Sequence, residues 1–203
     1  MMKTAFATLA LAAMTMTAHA GVIFQEGFDD VPGLAAKGWT FANASTPGGL
    51  TSGWFQGNSG AFNAQSGAPD SYAAANFYNA PPGGSIDSWL YTPTFDASGG
   101  AEVSFYLRAA GEGYSDKVSY GFEGAGGMTT VFPVPDAGWT LYTAHLDSGQ
   151  AGTTRFGFRY FGDEADANYV GLDSLTVVPE PGSIALLAGG MLAFAVIRRR
   201  TRT

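Results

Sequence analysis

The stretch Val103-Ser104-Phe105-Tyr106-Leu107, echoed by Phe156-Gly157-Phe158-Arg159-Tyr160, decides the fold. In both, large apolar residues take every second position, the spacing of side chains on one face of a β-strand. Val118, Tyr120 and Phe122 repeat the pattern, and the runs Trp139 to Leu146 and Tyr169 to Val177 extend it. In the first strand Val22, Phe24, Glu26 and Phe28 share a face. No helical periodicity longer than a turn is found between Gly21 and Val178. Residues 42–85 are rich in Gly, Asn, Ala, Ser and Pro, and apolar islands at Trp54-Phe55, Phe62, Tyr72 to Tyr78 and Trp89 to Tyr91 read as short strands bridged by long loops. Short antiparallel strands with glycine turns bury their alternating faces by stacking two sheets. The expected fold is therefore all-β, a two-sheet antiparallel β-sandwich of jelly-roll type.

Composition agrees and excludes several functions. Of 203 residues 29 are Gly, 14% are aromatic and only 13% are charged, a profile of short strands and tight turns. Residues 21–178 keep five of the ten basic residues and sixteen of the seventeen acids, a net charge of −11. That balance repels nucleic acid and anionic lipid and favours solubility or divalent cations. With no cysteine there is no disulfide, thiolate metal site or cysteine nucleophile.

Both ends read as addresses. Met1 to Ala20 carries Lys3, an apolar stretch from Ala5 to Met14, and the small-x-small ending Ala18-His19-Ala20. Signal peptidase admits small side chains at those two positions, so cleavage is expected after Ala20. At the other end, Val178-Pro179-Glu180-Pro181-Gly182-Ser183 precedes fourteen apolar or small residues, Ile184 to Ile197, and then Arg198-Arg199-Arg200. As a helix the apolar stretch covers about 21 Å, short of a bilayer core of about 30 Å, which suits transient anchoring in the inner membrane. The arginines act as a stop-transfer signal that stays in the cytoplasm, leaving everything before Ile184 on the far side. The expected layout is a signal peptide over 1–20, a sandwich over 21–177 and a tail over 178–203, comprising a motif at 178–183, a short transmembrane helix at 184–197 and a basic end at 198–203.

Val178-Pro179-Glu180-Pro181, the apolar span and the arginine run resemble the PEP-CTERM sorting signal. The resemblance implies that a membrane protease, exosortase, reads Pro179, Glu180 and Pro181 and releases or transfers the protein to the cell surface or extracellular matrix of a Gram-negative bacterium, in systems that accompany exopolysaccharide production. A plain C-terminal membrane anchor would give the same topology. A second resemblance runs through Glu26-x-Phe28-Asp29, Gly38-Trp39-Thr40, Trp54-Phe55-Gln56-Gly57-Asn58, Ser71 to Asn76, Ser88-Trp89-Leu90-Tyr91-Thr92-Pro93, Val103 to Tyr106 and Phe158-Arg159-Tyr160. In this order they are similar to the choice-of-anchor J domain, akin to cleaved-adhesin and MAM-type jelly rolls. Members often end in Asp-Asp; this chain has Asp173-Ser174 and lacks the second carboxylate.

Glu26 and Asp173 interrupt apolar faces, Asp173 sharing the face of Tyr169, Leu175 and Val177. An unpaired buried carboxylate costs several kcal/mol, so something must meet each of them. If the first and last strands are neighbours, Glu26, Asp173 and Asp29 (or Asp30) converge on a structural Ca2+, which accepts all-oxygen shells. A strand-end bulge exposing both acids, or pairing with Arg155 or Arg159, are the alternatives. The acidic stretch Asp163 to Asn168 lacks the spacing of a calcium loop and reads as a solvated loop, as does Glu112 to Asp116. Trp54 and Tyr72 read as core, leaving Tyr78 and Tyr114 as rings placed to stack on a ligand. Once 1–20 is removed His145 is the sole histidine, and no serine sits in a nucleophile elbow. Three functions stay open: a non-enzymatic glycan- or envelope-binding adhesion module whose partner is extracellular polysaccharide, a purely structural biofilm or exopolysaccharide matrix protein, and a secreted glycan hydrolase.

Overall fold

The computed structural model describes residues 21–180. The signal peptide with Ala18 and Ala20, Pro181, the 184–197 helix and Arg198, Arg199 and Arg200 lie outside the described residues. Thirteen strands are found among those described: β1 Phe24–Glu26, β2 Thr40–Asn43, β3 Phe55–Gln56, β4 Ala73–Asn76, β5 Ser85–Tyr91, β6 Phe95–Asp96, β7 Ala101–Ala109, β8 Val118–Phe122, β9 Thr129–Val131, β10 Thr140–Leu146, β11 Thr153–Thr154, β12 Phe156–Asp163 and β13 Tyr169–Pro179. They form two main antiparallel sheets. The first runs β10-β7-β13-β4-β3, with β1 also paired to β13; the second runs β2-β5-β12-β8-β9. Most successive strands alternate between the sheets, which is the jelly-roll habit, and the expected all-β sandwich is what the chain adopts.

The alternation that announces the strands also builds the core. Val103, Phe105 and Leu107 of β7 face Phe156, Phe158 and Tyr160 of β12 with almost no exposure. Phe105 lies 4.8 Å from Tyr120 and 4.9 Å from Phe158, each edge to face, the arrangement that adds about 0.5–1.5 kcal/mol per pair beyond burial.

Three local readings are corrected. The apolar face of the first strand does not reach Phe28. The strand stops at Glu26, and Phe28 turns into the core with φ 55°. Helical structure exceeds one turn at the 3-10 helix Pro32–Lys37, where proline opens the helix, Leu34 is buried and Gly38 closes it at φ 89°. Asp173 does not share its face with Leu175 and Val177. Ser174 adopts φ 52° and the β7 register shifts between Asp173 and Thr176, a bulge that switches the parity of β13. Val170, Leu172, Leu175 and Val177 therefore all enter the core, while Tyr169 packs with Phe62 and Tyr72 on the outer side.

Candidate functional site

The first and last strands are indeed neighbours: Phe24 pairs with Val177 and Glu26 with Leu175. Along the same edge of β13, β4 pairs with residues 169–172. The bulge sits where one partner gives way to the other. There Asp173, fully buried, receives the backbone N–H groups of Gln65 (2.7 Å) and Ser66 (3.1 Å) on Oδ2 and that of Ser174 on Oδ1. The carboxylate replaces the missing strand partner and staples the 57–72 loop to the sheet. Burial raises its pKa, with the amide donors opposing that shift.

Glu26 and Asp29 line a polar cavity of about 290 Å³ at this junction, together with Ser66, Gly67, Ser174 and Thr176; Asp173 does not line it. Glu26 Oε1 accepts from the Phe28 N–H at 3.0 Å, and Oε2 lies 3.1 Å from the Lys37 ammonium. Calcium would need six or more oxygens here. Among the described residues no group of three His, Asp or Glu is gathered closely enough to hold a metal. Each carboxylate has a local counterpart, Lys37 for Glu26 and amides for Asp173. Arg155 and Arg159 pair elsewhere.

Those two arginines belong to the outer face of the second sheet. On β5 the residues opposite the core-facing Ile86 and Leu90 are Asp87, Trp89 and Tyr91; on β12 they are Gly157, Arg159 and Phe161. Trp89 and Tyr91 stack with centroids 5.3 Å apart and planes within 4°. The Arg155 guanidinium lies 4.1 Å from the Tyr91 ring, and that of Arg159 lies 5.2 Å from Trp89 and 4.8 Å from Phe161. Cations and rings thus alternate along the sheet. Both arginines are also tied in bidentate pairs, Arg155 to Glu123 at 2.7 Å twice and Arg159 to Asp87 at 2.7 and 3.0 Å. These bonds raise both guanidinium pKa values and lower that of Glu123. The result is a stiff wall of rings with its positive charge internally spent.

Two glycines give the wall room. Tyr91 lies across Gly157, where a Cβ would come within 2.7 Å of the ring. On β8, next to Gly157, Gly121 lets residues 127–128 of the β8–β9 hairpin fold back over it. Between ring wall and hairpin lies a mostly apolar cavity of about 330 Å³, lined by Trp89, Tyr91, Gly121, Glu123, the hairpin glycines and Met128. A concave, aromatic-walled site with a few polar groups is the usual form of a small-molecule or oligosaccharide site.

Sequence reasoning missed this site, having taken Trp89 to Tyr91 only as a fold landmark. The signal was present: Asp87, Trp89 and Tyr91 alternate against a buried set, and Gly157 interrupts the outward face of β12. What placed Gly121 beside them was register.

Tyr78 and Tyr114 are each about half exposed, at 48%. Tyr78 lies in the 3-10 helix Phe77–Asn79 that follows β4, and Tyr114 in the loop that follows β7; both strands end beside the start of β13, so both rings occupy connections at one end of the first sheet. Trp54 and Tyr72 are buried, as read. Asp163 and Asp166 are exposed, but the stretch read as a solvated loop is the end of β12, a 3-10 helix at Glu164–Asp166 and the buried Ala167; Asp116 likewise corrects the reading of its own segment as a solvated loop. Asp116 is 1% exposed and accepts from the Tyr160 hydroxyl at 2.6 Å and the Asn168 N–H at 2.8 Å. Its Oδ2 is buried without a partner, and burial raises its pKa. His145 stands on the outermost strand β10, with Nδ1 3.4 Å from Glu102.

The PEP-CTERM protein-sorting motif matches residues 177–200. No curated protein matches the chain. In fold it is similar to the K1 cleaved adhesin domain of Lys-gingipain from Porphyromonas gingivalis W83, with 20% identity over 78% of this chain and 98% of that one and a TM-score of 0.57. The K2 cleaved adhesin domain of Lys-gingipain gives 22% identity, 76% and 98% coverage and a TM-score of 0.54. TmCBM61, solved in complex with β-1,4-galactotriose, gives 12% identity, 76% and 99% coverage and a TM-score of 0.50. The chain thus carries a sorting motif of exported envelope proteins behind a cleaved-adhesin-like sandwich.

Proposed function

We propose that this chain is a non-enzymatic polysaccharide-binding module displayed on the cell surface or in the extracellular matrix, delivered by signal peptidase and exosortase processing. The observation that carries the binding role is the open cavity walled by Trp89 and Tyr91, rigid before any ligand arrives, so little ordering cost falls on binding. The chemistry favours neutral glycans. Neither flanking guanidinium is free for an anion, Glu123 lines the cavity, and the domain carries −11 overall. Tyr78 and Tyr114 offer a second contact area at the end of the first sheet. Calcium at Glu26 and Asp29 is part of the proposal only as a replacement for the Lys37 ammonium, filling the same electrostatic role.

A glycan array probed with the exported protein tests the reading. Retention on neutral polysaccharides that persists at high salt is the expected result. Absence of binding across neutral and acidic glycans would leave the purely structural matrix role in its place.

A further inference from the structure

We propose that the folded sandwich masks its own sorting motif, so that the protease reading it must wait for the end of β13 to peel away from β7. The inference rests on the sorting reading and concerns the regulation of that site. The motif match begins at residue 177, yet β13 runs to Pro179. Val178 lies opposite Glu102 and Pro179 opposite Ala101, and the Glu180 N–H donates to the Gly100 carbonyl at 3.2 Å. A side chain at Gly100 would run into the Glu180 carboxylate, so the two segments lie in close contact. The first half of the motif is therefore built into the sheet.

The motif's prolines suit this placement. In an antiparallel ladder successive residues point their N–H groups to opposite sides. The Glu180 N–H points toward β7, so that of Val178 does as well. Residues 177 and 179 address the other edge, where the β1 segment ends with the Ile23 N–H donating to the Val177 carbonyl. Pro179 thus lacks its N–H on an edge where no described residue pairs with it, a sheet position where the loss costs little. Among the described residues, Val178–Glu180 read as a strand end held on one side only.

Proteases commonly take their substrates as extended chain, pairing with backbone edges and seating alternate side chains in pockets. Here β7 already holds one edge of Val178–Glu180. Enzyme and sandwich compete for the same N–H groups, and processing proceeds at a rate scaled by the frayed fraction. A sandwich that is correctly folded is then cut slowly and from its very end, while a poorly folded one exposes the motif at once.

Pulse–chase of the full chain in a host that processes this motif tests the idea, with tail removal read by mass. A six-residue Gly/Ser spacer between Val177 and Val178 lifts the motif off the sheet and is expected to speed maturation about tenfold, the reciprocal of a frayed fraction of about one tenth. The pair Glu102→Cys and Val178→Cys, at directly opposed positions, is expected to mature at least about tenfold more slowly when oxidised than the same molecule after reduction. Equal rates for wild type, spacer and cross-linked forms would overturn the masking alone. If the wild-type chain yields no tail-shortened product, the sorting reading falls and the masking with it. Hydrogen exchange gives a second readout independent of the protease: a protected Glu180 amide supports the inference, and exchange at the free-chain rate contradicts it.

Discussion

The two outer faces of the sandwich use the same device and end differently. On the first sheet Gly171 leaves a gap in β13, and Phe62, Tyr72 and Trp139 fill it, each within 3 Å of where a Cβ would sit. On the second sheet Gly157 leaves a gap in β12 and Tyr91 lies across it. What differs is the cover. The 57–72 loop is long enough to bring Phe62 over its sheet, stapled by Asp173 and by the Trp139 indole donating to the Asn63 carbonyl at 2.9 Å. The short β8–β9 hairpin reaches only as far as Gly121, and a cavity is left open beyond it. A glycine under aromatic rings makes a satellite core where a loop closes over it and an open, ring-walled surface where none does.

The sharpest way to break the contrast is to delete one ring from each face. Phe62→Ala removes a buried ring stacked 5.1 Å from Tyr72 and is expected to cost about 3–5 kcal/mol in chemical denaturation, with ligand affinity unchanged once folded. Trp89→Ala removes a half-buried ring and should cost no more than about 1 kcal/mol while weakening polysaccharide binding at least about tenfold, as loss of a central aromatic anchor does. If Trp89→Ala unfolds the protein and Phe62→Ala does not, the assignment of closed and open faces is reversed.

The paired glycines sharpen it further. Gly171→Ala must displace packed rings and is expected to cost about 1–3 kcal/mol. Gly157→Ala meets only the Tyr91 ring, which has the cavity beside it; stability should fall less while affinity drops as the wall tilts. Denaturant midpoints and binding isotherms of both variants check this.

How much of this could be read in advance follows from range. The core faces of β7, β8 and β12 were legible because alternation is local, whereas β1 beside β13 entered the sequence reading only as a condition and is supplied by the register. The face of Asp173 was not legible. Its parity depends on Ser174 adopting a left-handed conformation that no local residue preference demands. Asp116 looked solvated because its neighbours are acidic; its burial arises from Tyr160 and Asn168, distant in sequence. The open aromatic face went unseen because Trp89 and Tyr91 become a wall only when Gly157 and Gly121 are set beside them by register.

Asp116 gives a smaller, pH-dependent test. Burial raises its folded pKa above the unfolded value. The folded state therefore holds its proton more tightly, and this group's contribution to stability is lost as pH rises from the unfolded pKa through the folded one. Asp116→Asn, which keeps an acceptor for Tyr160 and Asn168, should gain on wild type as pH rises through mildly acidic values, read by thermal melts across pH. A constant difference at every pH would contradict it.

The smallest expected effect concerns the ion. Because Lys37 already neutralises Glu26, chelator should shift the melting temperature of the wild type little, whereas Lys37→Ala should melt lower and be restored by added calcium. A large chelator effect on the wild type would instead make calcium a standing part of the fold.

Affinity electrophoresis of the exported protein and of Trp89→Ala, through gels cast with a neutral polysaccharide retained on the array, separates binding at the open face from binding elsewhere. The wild type is expected to be retarded, and Trp89→Ala, folded by its denaturation profile, to migrate as in an empty gel. Equal retardation of the two would contradict it and move binding away from the open face.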